Sequence, residues 1–138
     1  MEEPPVAGDW ILDQMADALI CADRLGTILR WNRSAVALFG YACAEALGQS
    51  LDLIIPPRLR DAQWRGFEKA VTFGSTRLNG RATLTRATHK YGRKLYVEMT
   101  FALVSDPHGV VRGSVAVARD VTARVESEKR AALHRDVE

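Results

Sequence analysis

The stretch Val97–Thr122, VEMTFALVSDPHGVVRGSVAVARDVT, decides the fold. Leu95, Val97, Met99, Phe101 and Leu103 recur at every second position, so one face of a strand is continuously apolar. Asp106-Pro107-His108-Gly109 then reverses the chain. The run Val110–Val121 is again β-rich, and charged helical sequence follows at once. Everything upstream can pack on this hairpin, and everything downstream leaves from its end.

Working outward towards the N-terminus, residues 1–8 form a flexible lead-in, because Pro4-Pro5 oppose regular structure. Residues 9–17 read as a flanking helix, capped by Asp9 and carrying Trp10, Ile11, Leu12 and Met15. Its apolar face is too wide for an isolated helix, so it is expected to pack on the domain or on a partner. Ala18–Ala22 and Thr27–Trp31 make a first hairpin around Asp23-Arg24-Leu25-Gly26. Asn32 is placed to cap a helix Arg33–Phe39, which Gly40-Tyr41 ends. Glu45–Gly48 is a single turn, and Leu51–Ile55 is a compact apolar segment before Pro56-Pro57. Leu59–Phe73 is the best helix, with Trp64, Phe67 and Val71 sharing one face and Gly74 following its end. A polar connection Ser75–Gly80 leads to a strand Arg81–Thr88, and the turn His89–Arg93 leads into the central strand at Lys94. Five strands result, in the order β-β, helices, β-β-β. Residues 18–122 form the domain, and residues 123–138 form an exit helix of mixed charge. A helix of that length is marginal alone and needs a partner to hold it.

Composition bounds the function. A chain of 138 residues fits one domain with a complete core and short flanks. The net charge of +2, with Lys and Arg dispersed among acids, argues against direct nucleic-acid binding. Cys21 and Cys43 have neither CxxC nor metal-ligand spacing, and a reduced, cytoplasmic compartment is expected. The opening MEEPPVAGDW does not read as a signal sequence, and no apolar run approaches the roughly 20 residues of a membrane span.

A sheet with one apolar face must bury it, and the helices between the second and third strands are the available cover. The long helix is expected to lie against Leu95, Val97, Met99 and Phe101, leaving either a small apolar pocket or a filled core. Candidate pocket residues are Leu51, Trp64, Phe67, Leu84, Leu95, Val97, Met99, Phe101 and Val117. GxSxG, HExxH and P-loop strings are absent, and the aspartates sit mostly at caps or turns, so no catalytic residue is assigned and the chain reads as a non-enzyme. Glu98 is expected to pair with an arginine across the sheet. Asp120 and Thr122 are suited to cap exposed N–H groups where strand becomes helix, with Arg119 free to add an ion pair.

The order of elements, together with several local strings, resembles the PAS sensor domain. The matching pieces are Ile28–Ala35, Leu38–Tyr41, Glu45–Ser50, Ile54–Pro56, Arg65–Phe67, Lys90–Arg93 and Arg119–Thr122, together spanning about residues 10 to 125. The resemblance implies an α+β fold: a five-stranded antiparallel sheet with short helices on one face, flanked by N-terminal and C-terminal helices. It also implies a sensory and dimerisation module of bacterial signal transduction. Such a module binds a small apolar ligand or a partner and relays the change through Arg119, Asp120 and Thr122 to the exit helix. The implied partners are a second copy, docked through the flanking helices, and an effector such as a histidine kinase or transcriptional regulator. A haem- or flavin-binding gas or redox sensor is one alternative, and a ligand-free dimerisation domain is another.

The chemistry of the cofactors narrows the first alternative. Haem sensing in similar domains uses a histidine on the long helix, where this chain has Gln63 and no histidine. His89 and His108 fall in turns, where both are expected to face solvent, and no metal site is assigned. Flavin adduct chemistry needs a cysteine near Leu51, and Cys21 and Cys43 lie on other elements.

Overall fold

In a computed structural model, residues 5–74 and 80–137 are described. The start of the lead-in (1–4), most of the connection after the long helix (75–79) and the last residue lie outside them. The helices are α1 (Gly8–Gln14), α2 (Arg33–Phe39), α3 (Cys43–Ala46), α4 (Arg60–Phe73) and α5 (Thr122–Val137). The strands are β1 (Ala18–Asp23), β2 (Ile28–Trp31), β3 (Thr83–Thr88), β4 (Lys94–Ser105) and β5 (Val111–Asp120). Short 3₁₀ turns at Leu51–Leu53 and Pro57–Leu59 join α3 to α4. All strand pairs are antiparallel, in the order β2-β1-β5-β4-β3. The α+β fold expected from the sequence is the fold adopted.

Two aspartates build the tight hairpins by the same device. Asp23 Oδ1 accepts the N–H groups of Leu25 and Thr27, and Asp106 Oδ1 accepts those of His108 and Val110. Each carboxylate thereby satisfies donors that the reversing chain leaves without ladder partners. Gly26, at φ 81°, completes the first turn. A side chain there would also collide with the Trp64 indole, which packs directly against the glycine.

Register decides which residues meet. Met99 pairs with Ala118, Phe101 with Ala116, Thr85 with Val97 and Ala87 with Leu95, so these residues share the face beneath the helices. Ala18 and Ile20 of β1 join them through Ala118 and Ala116. The core holds Ile20, Ile28, Trp31, Leu38, Phe39, Ile54, Leu95 and Val97, with Leu51 and Met99 packed against it. Leu84 and Val117 do not belong to this set, which corrects their placement as pocket residues. Leu84 pairs with Glu98 and Val117 with Thr100, one residue out of phase with the core row, so both occupy the opposite face.

Asn32 locks the N-terminal elements together. Its Oδ1 accepts from Ala35 N, capping α2, and from Leu19 N at the start of β1. Its Nδ2 donates to the carbonyls of Leu12 (2.6 Å) and Asp17 (3.1 Å), at the end of α1 and in the linker behind it. Ser34 adds a bond to the Met15 carbonyl. Contrary to expectation, Asp9 does not cap α1; Ala7 occupies that position and Asp9 instead faces Arg30 at 3.5 Å.

At the other end of α2 the β3–β4 turn docks on the helix layer. Lys90 N donates to the Phe39 carbonyl, and the His89 ring packs over Gly40 and accepts from Tyr91 N through Nδ1. His89 is therefore half-buried rather than solvent-facing, whereas His108 is exposed. Lys90 Nζ donates to Glu45 Oε2 (2.6 Å), while Glu45 Oε1 accepts from Ala42 N. The Lys90 hydrogen bond, followed by that from Ala42, holds the Glu45 carboxyl below its ordinary range. A carboxyl depressed on folding stabilises above its unfolded pKa, and that contribution fades as pH falls through the folded value. A side-chain NMR titration is expected to show a lowered Glu45 midpoint that rises part-way to normal in Lys90→Met. An unchanged midpoint in that variant would remove Lys90 as the cause.

Candidate functional site

The candidate residues separate into an interior group and an exit group. In the interior, Leu95 and Val97 are fully buried at 1% and 0% exposure, which makes them core rather than open wall. Phe67 and Phe101 meet edge to face at 6.2 Å, and Trp64 meets Phe67 at 5.6 Å. Trp64 turns away from the β4 row: its Nε1 donates to Asp52 Oδ1 at 2.7 Å, and its ring covers Gly26. Arg60 braces the same corner by donating to the carbonyls of Ile55 and Asp52. The expectation that α4 lies along Leu95–Phe101 therefore holds at Phe67 and Phe101, while Trp64 fastens the helix to the β1–β2 turn.

An open cleft of about 270 Å³ lies elsewhere, at the margin between the α1–β1 linker, α2 and the end of β5. Asp17, Ser34, Leu38, Ala118, Arg119 and Asp120 are among its lining residues. None of the nine apolar candidates lines it, but two of the three relay candidates do. Across its rim Arg119 donates twice to the Asp17 carboxylate, at 3.0 and 3.2 Å.

The exit is built from hydrogen bonds that continue the sheet past its last residue pair. Val97 pairs with Asp120, the last residue of β5. Val121 N then donates to the Tyr96 carbonyl (2.9 Å), and Tyr96 N donates to Thr122 Oγ1 (2.9 Å). A threonine hydroxyl thus takes the place of a ladder carbonyl, and the backbone of β4 is bonded directly to the first turn of α5. Asp120 Oδ1 accepts from Thr122 N (2.9 Å), which fixes the bend between strand and helix. Val121 and Val125 are buried at the base of α5. Outside them, Arg124 lies 3.5 Å from Glu98, and Lys129 Nζ donates to Tyr96 Oη at 2.6 Å. Glu98 makes its close ion pair with Arg124 of α5, while Arg119, the arginine directly across the sheet from it, feels its charge but gives its hydrogen bonds to Asp17. The sequence does not single out Tyr96 and Lys129, since nothing local marks a strand tyrosine as the seat of a helix seven residues past its start.

No group of three or more His, Cys, Asp or Glu side chains is placed to hold a metal ion among the described residues. Leu51 begins the first 3₁₀ turn, Cys43 is exposed at the start of α3, and Cys21 sits half-buried in β1 with its thiol pKa raised by burial.

Residues 8–121 match the family model described as PAS fold. The chain belongs to the PAS family. Its relatives include an uncharacterised protein of Azorhizobium caulinodans, 30% identical over 120 residues that cover 86% of this chain and 16% of that one. The signal transduction histidine-protein kinase AtoS of Escherichia coli is 24% identical over 137 residues, covering 96% of this chain and 21% of the kinase. The PAS domain of a Colwellia psychrerythraea protein superposes with a TM-score of 0.72 at 23% identity, covering 81% of this chain and 92% of that domain. This chain therefore spans about a fifth or less of the two longer relatives. It is a PAS sensory domain similar to those of sensor kinases. Among the described residues, no helix is long and apolar enough to cross a membrane.

Proposed function

We propose that this PAS domain is a cytoplasmic sensory and dimerisation module whose output leaves through Asp120-Val121-Thr122 into α5. The observation that carries this reading is the bonding of Tyr96 to Val121 and Thr122, because it makes the position of β4 and the start of α5 one variable. A small apolar ligand or a partner acting on the helix side of the sheet would shift β4, and α5 would tilt with it. The effector is a histidine kinase or a transcriptional regulator, a reading supported by the likeness to AtoS. A second copy docks through the flanking helices, where Trp10, Ile11 and Leu133 stay exposed.

The test is Thr122→Val in the full-length parent protein. The change keeps the shape and deletes the acceptor for Tyr96 N, at a stability cost of about 1 kcal/mol. Output is expected to stop following the stimulus while the domain remains folded. Undiminished stimulus response in both Thr122→Val and Asp120→Ala would overturn the relay. The complete burial of Val97, Leu95 and Phe39 favours a second reading, a ligand-free assembly domain. Native mass spectrometry separates the two: a dimer carrying an apolar small molecule supports sensing, and a bare dimer supports assembly alone.

A further inference from the structure

The outer face of the sheet carries an arrangement that the relay leaves unexplained. Arg86 of β3 pairs with Tyr96 of β4, and its guanidinium lies over the Tyr96 ring at 5.0 Å from the centroid. Arg86 Nε is buried and without a hydrogen-bond partner among the described residues. No carboxylate among those residues lies within 4.0 Å of Arg86 or of Lys129. A buried N–H left unpaired is costly, because it has given up its hydrogen bond to water without a replacement. Lys129 reaches the same tyrosine from α5, with Nζ 2.6 Å from the hydroxyl and 4.7 Å from the ring centroid. The hydrogen bond from Lys129, then the charges of Lys129, Arg86 and Lys94, lower the Tyr96 pKa, so positive potential gathers at this spot. The nearest acid along the strand face, Glu98, is engaged with Arg124.

We propose that Arg86, Tyr96 and Lys129 form a binding site for a small oxoanion, a phosphate or a carboxylate. The guanidinium offers N–H donors in a planar fork suited to two oxygens of one anion. Because Lys129 fills a lone pair of the Tyr96 oxygen, the phenolic proton is free to donate as well. Such an anion bridges β3 and α5 and braces the helix on the sheet. The site uses the Tyr96 side chain on the outer face, whereas the Thr122 relay uses the Tyr96 backbone and a ligand on the helix side would act from the opposite face.

The experiment titrates the whole chain with inorganic phosphate, and separately with succinate, against chloride at constant ionic strength. Proton–nitrogen NMR follows Arg86 Nε–H and the backbone amides of Tyr96 and Val121–Lys129. Saturable shifts confined to these groups are expected, with slower hydrogen exchange along α5. Arg86→Gln is expected to weaken binding at least tenfold, and Lys129→Gln, on the exposed surface of α5, several-fold. Saturation by phosphate alone, by succinate alone or by both supports the site and names its class. Shifts that grow linearly with both anions, or curves unchanged in Lys129→Gln and Arg86→Gln, overturn it. If Arg86→Gln fails to fold, the Lys129→Gln curve decides.

Discussion

Asn32→Asp is expected to destabilise the domain by about 3–5 kcal/mol, a large share of the stability of a domain this size. Asn32 is 2% exposed, and all its polar capacity is in use. Its oxygen accepts from Leu19 N and Ala35 N, and aspartate would preserve both bonds. The amide nitrogen is the difference. It donates to the carbonyls of Leu12 and Asp17, and aspartate sets an anionic oxygen against each of them in a buried site where solvent screens the repulsion poorly. The C-terminal end of α1 is expected to detach first, so hydrogen exchange should quicken across Gly8–Gln14 before global unfolding. The penalty should shrink in acid, where a protonated carboxyl regains a donor. Ser34→Ala removes a single neutral bond to the Met15 carbonyl from a half-buried residue and is expected to cost only about 1 kcal/mol. Equal denaturation midpoints for Asn32→Asp and Ser34→Ala would show that the lock is not where the stability lies.

The hairpin β4–β5 was legible in the sequence because the alternation of Leu95, Val97, Met99, Phe101 and Leu103 is a local pattern of period two. The caps were legible for the same reason: Asn32, Asp106 and Asp120 bond to N–H groups within a few residues of themselves. What local pattern could not supply was register. In β5 both phases of the strand are apolar, with Val111, Val115 and Val117 on one side and Ala116 and Ala118 on the other. The larger set is the natural choice for the core. Yet the helix-side face takes the alanines, because Trp31, Phe39, Leu95 and Val97 already fill the volume above them. Leu84 is misplaced by the same ambiguity, since β3 is set by its pairing with Glu98 and Val97, residues remote in sequence. The second donor role of Asn32 and the seat of Lys129 on Tyr96 likewise join residues far apart in the chain, and no spacing rule reaches them.

Gly113→Ala, the addition of one methyl group, is expected to cost about 3 kcal/mol. The backbone of Gly113 lies outside the left-handed region, so the penalty is not conformational. It comes from space: a Cβ there would overlap the carbonyl oxygen of Ala22, and it would meet the Ala22 carbon and Asp23 Cα at 3.2 Å. These are backbone atoms of the adjacent strand, at the point where the β1–β2 register shifts between Cys21 and Ala22. No rotamer change can relieve the clash, so β1 must move away from β5 and lengthen the hydrogen bonds of that pair. Gly66 supplies the control within the same chain. It lies in α4, where an added methyl group would meet no atom within 4 Å, and Gly66→Ala is expected to stabilise by about 0.5–1 kcal/mol through helix entropy. One substitution type should therefore shift the urea midpoint down at Gly113 and up at Gly66. β5 carries Arg119 and Asp120 to the exit, and the Asp17–Arg119 pair joins its end to the linker before β1. Displacement of β1 in Gly113→Ala is therefore expected to speed amide exchange at Val121 and Thr122 as well. If Gly113→Ala has the urea midpoint of the parent, β1 yields without cost, and the close approach of Ala22 does not constrain the sheet.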